Sequence, residues 1–169
     1  LIENVASARP DAIFLTGDLI DSNRYNLDRS LQAVRGFIDI APVYYVLGNH
    51  EVATNYVGDI YASLEALGVH TLKNEAVTFE RGDAKMTIAG IEDPLMNTPT
   101  KDMLNEALQY VRDDEFTLLL AHRPEMVEHY ANAAVDVVFS GHAHGGQIRI
   151  PFVGGLVAPG QGLFPKYTS

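Results

Sequence analysis

Short unbroken apolar runs recur along the chain, each ending in a polar or glycine-rich group, and they alternate with stretches of helical spacing. Ala12-Ile13-Phe14-Leu15, Val43-Tyr44-Tyr45-Val46-Leu47, Phe116 to Ala121 and Val135 to Phe139 have the continuous hydrophobicity of strands buried on both faces. Between them, Leu27, Leu31, Val34 and Ile38 keep to one helical face, as do Val57, Ile60, Tyr61, Leu64 and Leu67 ahead of a stop at Gly68. Leu1, Ile2, Val5 and Ala8 predict an opening helix closed by Pro10, and Leu104, Ala107, Leu108 and Val111 predict a later one. Pro124 suits the first turn of a helix carrying Met126, Val127, Tyr130 and Ala131. Strand, helix and strand joined by short links predict right-handed parallel crossovers.

The middle and the end follow other patterns. Val77-Thr78-Phe79 and Met86-Thr87-Ile88-Ala89 flank Arg81-Gly82-Asp83, which predicts an antiparallel hairpin, and residues 91–99 read as loop. Ile148-Arg149-Ile150 and Leu156-Val157-Ala158 predict short strands separated by Gly154-Gly155, ahead of a closing loop rich in Gly and Pro. No linker or short-period repeat divides the chain, so residues 1–169 read as a single α/β domain with mixed sheets.

Composition narrows the chemistry. The chain has no cysteine, which excludes disulfides and thiolate metal sites, so any metal must sit on His, Asp, Glu or Asn. Its formal net charge of -10, without a Lys/Arg cluster, argues against nucleic acid as the main partner, because phosphate-backbone binding needs cations to displace counterions. No apolar run reaches the length of a membrane span, and no leader pattern precedes the first strand. The compartment, cytoplasmic or exported, stays open.

The candidate chemistry lies where the apolar runs stop. Four of them end at Asp18, at Asn49, at His122, and at the pair His142 and His144 in Ser140-Gly141-His142-Ala143-His144-Gly145-Gly146. Strands running parallel in one sheet would bring these ends to one edge, where α/β proteins bind ligands. Taken singly, Asp18 could cap a helix, Asn49 form a turn and His122 be a hydrogen-bonded strand end. Together, one carboxylate, one amide oxygen and three imidazoles suit Mn, Fe or Zn, whereas calcium would want mostly oxygen.

Gly17-Asp18-x-x-Asp21, Gly48-Asn49-His50-Glu51, His122 and Gly141-His142-x-His144 resemble, in order, the motifs of the calcineurin-like metallophosphoesterases. The segment from Gly145 to Tyr167 is similar to a bacterial branch of YkuE and YaeI type. Ser22 stands where the Ser/Thr protein phosphatases carry Arg, which argues against that branch.

The resemblance implies an α/β/β/α sandwich of mixed sheets flanked by helices. It also implies hydrolysis of phosphomonoesters or phosphodiesters by a hydroxide held on divalent metal ions, two in the complete site. Asp18 would bridge the ions, Asn49, His122 and His142 would complete the shell of one, and His144 would bind the other. His50 would be the general acid, oriented by Asp21. The implied partners are phosphate-ester substrates, nucleotide- or lipid-linked, with the full-length protein associated with a membrane in some readings. The oligomeric state stays open.

One motif is missing. The family's first Asp-x-His has no counterpart, since Asp11 is the sole Asp before Asp18 and no His precedes His50. The expectation is that the first strand lies upstream of Leu1 and that further strand follows Tyr167. As it stands, the chain would keep four protein ligands for one ion and two for the other. The alternative is a binding module of the same fold that has lost that motif, against which the retention of His50 with Asp21 argues.

Other residues receive plainer readings. His70 and His129 read as surface or capping histidines, and Tyr44 and Tyr45 as core. Glu51 is expected to hydrogen-bond the turn near the site, or to support His50. Arg123 could hold a phosphate, with solvent exposure the simpler reading.

Overall fold

The computed structural model describes residues 1–152 and 154–168. The apolar runs fold into two sheets, as the sandwich implied by the resemblance has them, and not into the one parallel sheet that convergence of strand ends alone suggested. β1 (Ile13–Leu15), β2 (Val43–Tyr45) and β3 (His70–Thr71) form a parallel sheet in that order. β4 (Glu75–Arg81), β5 (Ala84–Gly90), β6 (Thr117–Leu120) and β7 (Val137–Phe139) form a mixed sheet, in which β4 and β5 are the expected hairpin and the other pairs are parallel.

Period-two alternation explains why the runs are continuous. On and just beyond β2, Val43, Tyr45 and Leu47 face α2 (Leu27–Ile38) and α4 (Val57–Ala66), packing on Leu31, Val34, Phe37, Ile60, Tyr61 and Leu64. Tyr44 and Val46 turn the other way and meet Ile88, Leu118 and Leu120 of the second sheet. On the far side, Leu119 and Ala121 pack with α5 (Thr100–Leu108) and with Tyr130 of α6 (Val127–Ala131). The layers are therefore helix, sheet, sheet, helix, with α1 (Ile2–Ala8) against α2. Phe14 of β1 and Phe139 of β7 lie 5.7 Å apart between ring centroids, so the two sheets meet along these strands. Among the described residues no helix is long and apolar enough to cross a membrane.

Several elements differ from the sequence expectation. Asn49 and His50 do not sit on a turn; they open the short helix α3 (Asn49–Ala53) directly after β2. α5 starts four residues earlier than its apolar spacing suggests, because Thr100 and Met103 are buried as well. It stops at Leu108, where Val111 donates its N–H to the Leu108 carbonyl and closes a turn. Past Gln147, β8 (Arg149–Ile150) pairs with β9 (Gly154–Gly155), and β10 (Val157–Ala158) pairs with β11 (Gly162–Leu163). The Gly154-Gly155 pair is thus a strand rather than a separator.

Candidate metal centre

Crossing from β1 to the helical segment beyond it requires a sharp reversal, which Gly17 supplies at φ 86°. A side chain there is also sterically barred, because a Cβ would lie 2.6 Å from the Gly48 backbone and 2.7 Å from His122 Nδ1. The loops after β1 and β2 are therefore in backbone contact, and the His122 ring after β6 packs against the same glycine. Asp18, His142 and His144 all hold left-handed backbone, with φ of 53°, 57° and 51°. Asp and His tolerate that region better than most side chains, and such conformations gather at functional sites.

His122 is the hub. It is buried, and its Nδ1–H donates to the Thr16 carbonyl at 2.6 Å. That bond leaves Nε2 facing Asn49 Oδ1 at 3.0 Å, His142 Nδ1 at 3.1 Å and Asp18 Oδ2 at 3.2 Å. In neutral His122 this nitrogen is a lone pair facing two oxygens and a ring nitrogen; in the imidazolium, its proton faces the same three atoms. Metal bonds of about 2.1 Å place neighbouring donors about 3.0–3.4 Å apart in octahedral or tetrahedral shells. The spacing and the donor set therefore fit a divalent cation. Asp18, His122 and His142 form the group of carboxylate and imidazole donors that the described residues bring together.

In the metal-free state the same crowding sets the proton affinities. Burial alone would push the His122 imidazole down, but its bonds to Asp18 and the Thr16 carbonyl outweigh this and raise it. Burial works to raise the Asp18 carboxyl, and the His122 ring with the His50 amide overcome it and lower it. His142 is lowered by burial and by its neighbours Arg123 and His122.

Glu51 fixes the oxygen side. It is fully buried, and its carboxylate accepts the N–H groups of Asp18 at 2.9 Å, Ile20 at 3.0 Å and Gly48 at 3.0 Å. This is the turn-bonding role read from the sequence. Burial pushes its own carboxyl up, with the amides pulling against it.

His50 stands beside the cluster, with its backbone N–H on Asp18 Oδ1 at 2.9 Å. Its Nδ1 accepts the Ser22 N–H at 3.2 Å and lies 3.1 Å from Ser22 Oγ. A backbone N–H can only donate, so the neutral ring carries its proton on Nε2. Asp21, expected to orient His50, is 4.0 Å away and accepts from Asn23 N at 2.9 Å instead. Ser22, which the sequence brought in only as a departure from another branch, holds the ring directly.

His144 is exposed and stands outside the hub, lining with Asp18 and His142 a cavity of about 780 Å³. Arg123 is neither exposed nor free for phosphate. Its guanidinium grips the buried Asp93 at 2.6 and 3.1 Å, and Nη1 lies 3.5 Å from Glu125 Oε1 and 3.3 Å from His142 Nε2. Asp93 gave no sequence signal, because it stands in the stretch that reads as loop; Glu125 sits three residues past His122, close enough to have been weighed.

This geometry accords with the comparisons. The calcineurin-like phosphoesterase family model matches residues 1–146, and the chain belongs to that family. Among its relatives is the uncharacterized metallophosphoesterase YkuE of Bacillus subtilis, 31% identical over 96% of this chain and 57% of YkuE. The uncharacterized protein YpbG of the same organism is 30% identical over 88% of this chain and 56% of its own length. The phosphodiesterase YaeI of Escherichia coli is 29% identical over 89% of this chain and 55% of YaeI. The chain thus spans a little over half the length of these relatives.

Proposed function

We propose that this chain carries the metal site of a phosphohydrolase acting on phosphomonoesters or phosphodiesters. Its domain would extend over residues 1–169. The reading is carried by one observation: donor atoms from three separate segments converge on Nε2 of His122, with His50 beside them. Asp18, Asn49, His122 and His142 would hold one divalent ion, Mn, Fe or Zn, and His144 with Asp18 would face a second across the cavity. Bound divalent ions lower the pKa of coordinated water and neutralise charge on phosphoryl oxygens.

The chain's own residues do the rest. Asp18 offers Oδ2 to the cluster while its Oδ1 holds the His50 backbone, so cluster and proton donor move as one unit. His50 presents Nε2–H as a donor to the leaving oxygen, and Ser22 keeps that tautomer in place. Asp21 contributes negative charge at the far side of the ring. The YaeI relative is named a phosphodiesterase, which puts aryl phosphodiesters first among substrates to try.

The test is reconstitution with manganese followed by assay of p-nitrophenyl phosphate and its bis-ester. His50→Ala should abolish turnover while metal content stays at the wild-type level. Full turnover in that variant would remove His50 from the mechanism; a wild-type chain that takes up no manganese or zinc would remove the function itself.

A further inference from the structure

Glu125 has a carboxylate oxygen, Oε2, that is buried with no hydrogen-bond partner among the described residues. Such an orphan is costly, because a buried acceptor loses water without replacement. Its other oxygen lies 4.0 Å from His142 Nε2 and 3.5 Å from Arg123 Nη1. The side chain is 15% exposed and packs over Gly160, where a Cβ would sit 2.5 Å from Oε1, so the absence of a side chain there leaves the carboxylate its place.

His142 can be held in two ways. Arg123 Nη1, 3.3 Å from His142 Nε2, can donate to it; the ring proton then sits on Nδ1, aimed at His122 Nε2 only 3.1 Å away. That tautomer closes the lone pair the metal site needs. If Nε2 instead carries the proton and donates it to Glu125, Nδ1 offers its lone pair to the cluster. A guanidinium is always protonated and cannot accept, so within this network only a carboxylate can select the second tautomer. Arg123 is fixed by the buried Asp93, and Tyr130 Oη donates to its carbonyl at 2.7 Å, which leaves Glu125 the adjustable member.

We propose that Glu125 is the positioning residue of His142, accepting its Nε2 proton so that Nδ1 faces Asp18 and His122. The inference rests on the metal-site reading above and deepens it. Partners of this kind, bonded to a metal-bound imidazole through its second nitrogen, change metal affinity about 10- to 100-fold when removed.

Zinc alone is the probe. Titration of the metal-free chain by calorimetry should show Glu125→Met, similar in volume but without an acceptor, weakened about 10- to 100-fold. Glu125→Gln, which keeps an acceptor oxygen, should stay within about threefold, well under the tenfold that 1.4 kcal/mol represents. Equal affinity for Glu125→Met and wild type overturns the inference, as does Glu125→Gln falling as far as Glu125→Met. Should Glu125→Met not fold, 15N shifts of the His142 ring in the zinc-loaded wild type decide. A proton on Nε2 supports the assignment and one on Nδ1 overturns it. Wild type that binds no zinc sinks the metal reading itself, an outcome distinct from either.

Discussion

On the first sheet's side of the cluster, Asp18 and its loop are set by backbone amides converging on one buried carboxylate. On the second sheet's side, His122 is set by a single carbonyl and His142 by a network of charged side chains. Amide bonds to Glu51 tie donor geometry to the fold, because the loop after β1 cannot leave the segment after β2 without stranding the N–H groups of Asp18 and Ile20. Side-chain bonds leave the imidazoles oriented yet adjustable, so their geometry responds to protonation and to a bound ion. A change on the oxygen side should therefore register first as instability, and one on the imidazole side as lost affinity.

The largest expected effect breaks the first half of that contrast. Glu51→Ala orphans the N–H groups of Asp18, Ile20 and Gly48 in a fully buried place. At about 1–3 kcal/mol for each stranded donor, partly relieved by entering water, the loss should be about 4 kcal/mol in urea unfolding of the metal-free chain. A loss below about 1 kcal/mol would mean that the two loops are held by packing alone.

His122→Ala comes next and should register as affinity. A four-ligand zinc site is worth about 10–16 kcal/mol, or roughly 3 kcal/mol per ligand, so zinc binding should weaken about 100-fold. Asp18→Ala should match it, whereas His144→Ala should leave the tight ion in place. Equal losses in all three would put His144 in the hub and dissolve the distinction between hub and cavity wall.

Protonation sharpens the contrast because the two states of the protein should answer pH with opposite signs. In the metal-free chain His122 is raised above its unfolded value near 6.5. Its contribution to stability is therefore complete below that value and is lost as pH rises through the raised folded value. Asp18 is lowered beneath 3.8, so its contribution is present above that value and lost as pH falls through the lowered one. The pair thus stabilises the metal-free fold most between those limits. An ion on His122 Nε2 needs the proton gone, so zinc affinity should climb with pH, by up to about tenfold (about 1.4 kcal/mol) per unit. Calorimetry in buffers of different ionisation enthalpy should count the proton released; none released would place the ion elsewhere.

The hub was legible in the sequence because each member follows an apolar run that forms a strand, although only β2 and β6 are the inner, fully buried strands the pattern suggested, while β1 and β7 lie at sheet edges and β7 is largely exposed. The two-sheet arrangement was implied by the family resemblance but was not legible in the hydrophobic pattern itself. Val43-Tyr44-Tyr45-Val46-Leu47 reads the same whether its second face meets a helix or another sheet, and Tyr44 and Val46 meet the second sheet. α3 escaped because five residues are too few to show a helical period, and glycine before Asn49 signals a turn equally well. The partners Asp93 and Thr16 left no trace for another reason. One acts through a loop 30 residues from Arg123, the other through a backbone carbonyl that any residue could supply.

The smallest effect tests how far backbone control extends to His50. His50 Nδ1 has two contacts with Ser22, the N–H at 3.2 Å and the hydroxyl at 3.1 Å. Ser22→Ala removes only the hydroxyl, and the N–H still fixes the proton on Nε2. Turnover should fall by no more than about fivefold, the worth of roughly 1 kcal/mol for one partly exposed hydrogen bond. Ser22→Pro removes the N–H as well as the hydroxyl, so the difference between the two variants reads the N–H alone. Ser22 opens a 3-10 turn, where proline fits, and Asp21 before it is already extended, so the loop should accept the change. With the N–H gone the ring can carry its proton on either nitrogen, and turnover should fall further than in the alanine variant while zinc affinity stays unchanged. If proline costs no more than alanine, the hydroxyl is the orienting group. His50 would then be held by a side chain, like His142, and backbone control would stop at Asp18.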